Sequence, residues 1–323
     1  MASVKNIHGA EFHVSQKRRE KMKNITKQEF IKAVRDVIFL KTSKTVETES
    51  FSKLSNNGKK TETLIVHYPG RAGISVDMEG FYEYFCEQDE DISIINNCAG
   101  MILEMLDQNM RRAGGLQKRV QGITDYQNAK SMLRIRLVNG RLNKEKLSMA
   151  PHIPCLDLEI VFYLEVANDG DIAGSIAVNE YLFGKWGVNL KQMYQDAMEN
   201  MQREVPPAIR PINEILMGIL GSPEILELPD TPIFVLSNNY GMYGAASILY
   251  PGILEKCAET TGGDFCIIPS SVHEVLLWPM AVAGDADALG RMIREINAKE
   301  VPEEDVLSDH PYYYSVKEKK VTM

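Results

Sequence analysis

Two short clusters near the C-terminus hold most of the residue types in this chain that can do acid–base or nucleophilic chemistry. They are Ser270-Ser271-Val272-His273-Glu274-Val275 and Leu307-Ser308-Asp309-His310-Pro311-Tyr312-Tyr313-Tyr314. Ser270, Ser271, His273, Asp309 and His310 supply the types of a nucleophile, a base and an orienting carboxylate. His273, Glu274, Asp309 and His310 also suit a divalent metal if the two segments are neighbouring strands. Neither motif is complete. Ser270 lacks the Gly-x-Ser-x-Gly elbow that would expose its hydroxyl. His273-Glu274 begins like a metalloprotease helix, but Leu277 stands where the second His belongs. Turn chemistry explains the same residues without a site. Ser and Asp beside Pro satisfy backbone donors, and a His or Tyr ring can be buried with its polar tip bonded. We favour this structural reading, and extend it to His67 at a strand end and His152 between prolines. Gly70-Arg71-Ala72-Gly73 has no following Lys-Ser/Thr, so no phosphate loop is expected, and neither a metal nor a cofactor is called for.

A second group is basic: Arg111, Arg112, Lys118, Arg119, Lys130, Arg134, Arg136 and Arg141. From Arg111 to Lys146 ten Lys/Arg stand against two acids, a local balance of +8 in a chain whose net charge is -8. Such asymmetry can mark a nucleic-acid or polyanion surface. Only Tyr126 is at hand there for base stacking, so a basic segment lying beside the chain's own acidic half is the stronger reading.

The elements that must position these residues show in the hydrophobic spacing. Thr26-Lys27-Gln28-Glu29 is a capping box, and Phe30, Val34, Val37 and Ile38 continue it as an amphipathic helix. Asn56-Asn57-Gly58 is a turn leading into a strand over Thr61–Val66, with Ile74–Val76 as its partner. Ile92, Ile95, Ala99, Ile102 and Leu106 mark one face of a long helix. Leu133–Leu137 alternates, with Arg134 and Arg136 on one face. Leu156–Val166 alternates most cleanly, the apolar residues Leu156, Leu158, Ile160, Phe162, Leu164 and Val166 pointing one way. One wet face argues for an antiparallel or mixed sheet rather than a doubly wound nucleotide fold. Arg134 and Arg136 are expected opposite Asp157 and Glu159. A Met-rich helical stripe from Leu190 to Met201 reads as core filling. Later strands over Pro232–Leu236, Cys266–Ile268, Glu274–Trp278 and Tyr312–Tyr314 alternate with helices. The fold class is therefore α+β, with antiparallel or mixed sheets and packed helices. Residues 1–25 are read as an extension and 26–150 and 151–323 as two closely associated halves, divided near Ser148 to Pro154.

Asn-Asn-Gly before a strand, Gly80-Phe81-Tyr82-Glu83-Tyr84-Phe85, Pro151-His152-Ile153-Pro154-Cys155-Leu156-Asp157-Leu158 and Gly244-Ala245-Ala246 through Leu249-Tyr250-Pro251-Gly252 join the two C-terminal clusters as a set. Together they resemble the bacterial domain-of-unknown-function family numbered 5688, over about residues 26 to 316. The resemblance implies a cytosolic bacterial protein and carries no activity with it. The cysteines fit a reducing compartment: five, an odd number, with no Cys-x-x-Cys pair. No signal peptide and no membrane span is expected. The leading functional reading is a non-enzymatic cytoplasmic interaction or regulatory protein with a protein partner. The alternatives are a hydrolase or metal-dependent enzyme using the His/Asp/Glu clusters, and a polyanion or nucleic-acid binder using the basic segment.

Overall fold

The computed structural model describes residues 25–71, 73–88, 91–112, 120, 122–168, 173–220, 232–269 and 271–323. The chain divides into two compact units, Met1–Leu54 with Lys60–Lys118, and Ser55–Lys59 with Arg119–Met323. The division expected near Ser148 to Pro154 falls inside the second unit, between strands of one sheet.

In the first unit, α1 (Lys27–Lys41) starts at the expected capping box. The Thr26 hydroxyl accepts from the Glu29 N–H, and the Glu29 carboxylate accepts from the Thr26 N–H at 2.8 Å. Strands β1 (Glu47–Leu54), β2 (Lys60–His67) and β3 (Ile74–Asp77) form an antiparallel sheet in that order. Leu64 faces Val76 and Val66 faces Ile74, and all four are buried. Helices α2 (Glu79–Glu87) and α3 (Ile92–Arg112) complete the unit, with Phe30, Phe85, Ile95, Ile102 and Leu106 in its core. Ile92, expected on the buried face of α3, is 58% exposed, and Ile94 is buried in its place. Strand β1 had no hydrophobic signal. Apart from Phe51 and Leu54 its residues are polar, and its place comes from an unbroken ladder to β2, from Glu47 opposite His67 to Leu54 opposite Lys60.

The second unit runs α4 (Tyr126–Ala129), β4 (Leu133–Asn139), α5 (Lys144–Leu147), β5 (His152–Cys155), β6 (Leu158–Asn168), β7 (Ala173–Ala177), α6 (Glu180–Trp186) and α7 (Leu190–Glu204). It continues with β8 (Pro207–Pro211), α8 (Ile212–Leu220), β9 (Phe234–Asn238), α9 (Ile253–Thr261), β10 (Phe265–Ile268), β11 (Val275–Pro279), α10 (Ala286–Glu300), β12 (Tyr312–Ser315) and β13 (Lys320–Thr322). One sheet has the order β4-β6-β5 with β7 also on β6, and the other the order β13-β12-β10-β11-β9-β8. Every pairing among the described strands is antiparallel, so the α+β expectation holds and the doubly wound fold is excluded.

β6 carries the period-two pattern. Leu158, Ile160, Phe162, Leu164 and Val166 are each at most 5% exposed, whereas Val161, Tyr163 and Glu165 on the other face are half-buried. Burying side chains of this size contributes about 1.5–3 kcal/mol each, which makes the strand a main anchor of the unit. The pattern starts one step later than expected. Cys155 pairs with Leu158, so Leu156 and Asp157 form a two-residue turn, and Leu156 is 45% exposed at φ 59°. A side chain in the left-handed region costs about 1–2 kcal/mol, and asparagine bears it best. Leu156→Asn is therefore expected to raise stability by about 1 kcal/mol in urea unfolding. The register also moves the arginines: Arg134 lies opposite Tyr163 and Arg136 opposite Val161, not opposite Asp157 and Glu159. On α7, Met193, Met198 and Met201 are buried as expected.

Candidate functional site

Both C-terminal clusters meet on one piece of backbone. After α10 the chain makes a short 3-10 turn, Glu303–Asp305, and runs without further regular structure to Pro311 before entering β12. Such a segment must find partners for its carbonyls outside any ladder. Asn57 Nδ2 donates to Glu303 O at 2.8 Å and to Val306 O at 2.7 Å, and Asn56 Nδ2 donates to Glu304 O at 2.7 Å. The Val272 N–H donates to Asp305 O at 2.8 Å, Asn139 Nδ2 to Leu307 O at 3.0 Å and Asn297 Nδ2 to Ser308 O at 2.8 Å. Arg294 Nη1 reaches Asp309 O at 3.4 Å. Every carbonyl from Glu303 to Asp309 is thereby bonded. Asn143 braces the clamp: it exchanges two 2.9 Å hydrogen bonds with Asn57 and donates to Asn139 O at 2.9 Å. Asn57 sits at φ 58°, a left-handed turn position that asparagine tolerates. We call residues 303–311 the strap.

Ser271, Val272, His273 and Glu274 form the turn between β10 and β11. The Ser271 hydroxyl accepts from the His273 N–H at 3.0 Å and donates to Glu274 Oε1 at 2.8 Å. His273 Nδ1 accepts from the Tyr243 N–H at 3.2 Å, which fixes the proton on Nε2, and Nε2 faces Asp305 Oδ1 of the strap at 3.3 Å. The ring stacks on Tyr243 with centroids 5.7 Å apart, and the Arg136 guanidinium lies over the same Tyr243 ring at 4.8 Å. Gly244 lets this layer close: a β-carbon there would lie 2.5 Å from His273 O and 2.8 Å from Asn238 N.

His310 is held differently. Its Nε2 is 3.0 Å from Asp157 Oδ2 and its Nδ1 is 3.1 Å from Pro311 O; the Tyr312 hydroxyl donates to Asp157 Oδ1 at 2.8 Å. A carboxylate and a carbonyl both accept, so these partners favour the imidazolium form of the ring. Burial alone would lower its pKa, but the Pro311 carbonyl and the Asp157 carboxylate hold it above the ordinary histidine value. A group whose pKa rises on folding stabilises fully below its unfolded value of about 6.5, and that contribution is lost as pH rises through the folded value. Urea midpoints are therefore expected to fall with rising pH across that window, and His310→Gln to flatten this part of the profile.

Ser271, His273 and Glu274 are thus brought together, but as a turn. Ser271 makes its bonds to Glu274 and to the His273 backbone, while the His273 ring bonds Tyr243 and Asp305. His310 pairs with Asp157, and Asp309 is exposed beside it. Ser270 lies outside the described residues. Among the described residues, no three His, Cys, Asp or Glu side chains are placed to hold a metal ion. Burial pushes the Cys257 thiol up to about 12 and the Cys266 thiol to about 11, away from nucleophilic use. His67 and His152 each bond a nearby backbone carbonyl, Tyr68 O at 3.2 Å and Ala150 O at 2.8 Å.

The basic residues are dispersed. Arg134 is 4% exposed, pairs with Glu165 at 3.1 Å and with Glu204, and donates to Ser131 O and Leu133 O. Lys130 pairs with Asp196 at 2.9 Å. Arg136 is stacked on Tyr243, and Arg111 lines a cleft of the first unit with Tyr68, Arg71 and Asp107. The Arg112 side chain, Lys118 and Arg119 lie outside the described residues. Arg141 is exposed in a cleft of about 450 Å³ beside the strap, which Asp309 and Arg294 also line. A second cleft of about 300 Å³ has Arg294 and His310 in its wall.

The sequence profile of a family of unknown function, DUF5688, matches residues 27–316. The chain belongs to the DUF5688 family. No curated protein and no solved structure matches it. The first of the two signature clusters that suggested DUF5688 contacts the strap at Asp305, through Val272 and His273, and the second supplies the strap's last residues. Sequence reasoning missed Asp305, Asp157 and the asparagines 56, 57, 139, 143 and 297. One signal was available: Asn-Asn-Gly was read as a turn alone, although a buried turn asparagine has a side-chain amide to place.

Proposed function

We propose that this DUF5688 chain is a non-enzymatic interaction or regulatory protein of the bacterial cytoplasm. The reading rests on one observation: Ser271, His273, Glu274 and His310, which invite a catalytic interpretation, are closed on one another and on neighbouring groups. Ser271 donates to Glu274, His273 has Tyr243 and Asp305 at its two nitrogens, and His310 has Pro311 and Asp157. A general base must reach the proton it takes, and among the described residues no nucleophile is hydrogen-bonded to either ring. Free cysteines at 86, 98, 155, 257 and 266 support a reducing compartment.

The test has two arms. Photo-crosslinking in the producing cell is expected to capture the same protein partner with the wild type and with Ser271→Ala. A fluorophosphonate probe is expected to leave Ser271 unlabelled. Absence of any reproducible partner would sink the proposal, and so would Ser271 labelling that His273→Asn abolishes.

A further inference from the structure

We infer that the cleft beside the strap binds a small zwitterion of amino-acid or dipeptide size, its carboxylate on Arg294 and Arg141 and its ammonium group on Asp309 and Glu303. The cleft, about 450 Å³, is lined by those four charged residues, and its volume lies in the range of small-molecule sites. Apolar walls come from Leu142, Val301 and Val306. Among the described residues no ion pair joins either arginine to either acid. Two guanidinium groups and two carboxylates around one hollow, mutually unpaired, complement a ligand that carries both signs. A guanidinium fork binds a carboxylate in two parallel hydrogen bonds, which makes arginine the residue suited to that end of the ligand.

A second observation places the Arg294 guanidinium between α10 and the strap. Its Nη1 reaches back to Asp309 O at 3.4 Å, and a β-carbon at Gly290, one turn earlier on α10, would lie 3.3 Å from that nitrogen. Glycine inside a helix is unfavourable by about 1 kcal/mol relative to alanine. Here it leaves the space through which the guanidinium crosses to the strap. Gly290→Ala can be accommodated by displacing the flexible arginine, so it moves Arg294 off its seat without adding or removing a charge.

The site stands apart from the interaction reading, and failure of one leaves the other intact. Calorimetry and amide chemical shifts of the folded full chain, with L-leucine and Leu-Leu as probes, test it. At about 10 mM both zwitterions are expected to bind and to shift the side-chain amide of Asn297, a cleft residue. Isocaproate, which lacks the ammonium group, and isoamylamine, which lacks the carboxylate, are expected to bind at least about tenfold more weakly. Arg294→Gln and Arg141→Gln should each weaken the zwitterion by about tenfold, and Gly290→Ala should weaken it while the melting temperature holds or rises. The inference is overturned if neither zwitterion binds, if the single-charge analogues bind equally well, or if all three variants bind like the wild type.

Discussion

Asn57→Ala is expected to cost the second unit about 3 kcal/mol. Asn57 is 7% exposed, donates to two strap carbonyls and accepts from Asn143 Nδ2 at 2.9 Å. Removing the amide takes the partner from two strap carbonyls and one of the two hydrogen bonds of the buried Asn143 Nδ2, and a lost partner costs about 1–3 kcal/mol before relaxation and water entry reduce it. Alanine at φ 58° adds backbone strain. Asn57→Gly separates the two causes, since glycine removes the amide but accepts the dihedral; it should remain about 2 kcal/mol below the wild type. Urea unfolding followed by tryptophan fluorescence reads this directly, because both tryptophans, Trp186 and Trp278, belong to the second unit. A loss below about 0.5 kcal/mol for Asn57→Ala would mean that the clamp does not hold the strap.

Gly244→Ala is expected to be worse, at about 3–5 kcal/mol. The new β-carbon would lie 2.2 Å from Ser237 Oγ, 2.5 Å from His273 O and 2.8 Å from Asn238 N. The hydroxyl can rotate away, but the other two atoms are backbone, so β9 and the His273 turn must separate. Ser237→Ala with Gly244→Ala removes the side-chain clash alone and should recover little. Near-ultraviolet circular dichroism is expected to lose the signal of the Tyr163, Tyr243 and His273 layer, whose rings lie 5.3 and 5.7 Å apart. A Gly244→Ala protein within about 1 kcal/mol of the wild type would contradict the packing described here.

Residues whose role follows from local periodicity were legible in the sequence. Phe30, Val34 and Ile38 on α1, and Leu158 through Val166 on β6, repeat at the helical and strand periods, and burial follows. β1 was not legible, because Glu47–Leu54 has only Phe51 and Leu54 as apolar residues, at no strand period, and owes its place to β2. Leu156 misled because it continues the alternation into a turn. The candidate site was legible only as a set of residue types. His273 and His310 were noticed, but Asp305 is 32 residues from His273 and Asp157 is 153 from His310, and no sequence period reports such pairings. Arg134 looked like a phosphate ligand in a run of basic residues, yet its partners Glu165 and Glu204 lie on β6 and α7. Charge counted along the chain says little about charge left unpaired in space.

Long-range proton–nitrogen correlation of the imidazole rings near neutral pH, assigned with His273→Gln and His310→Gln, tests most directly whether the signature residues brace the strap. It should find the His273 proton on Nε2 rather than Nδ1, and His310 more fully protonated than free histidine at the same pH. His273 protonated on Nδ1, or both rings averaging between tautomers as free histidine does, would show that these side chains are not held by Tyr243, Asp305 and Asp157.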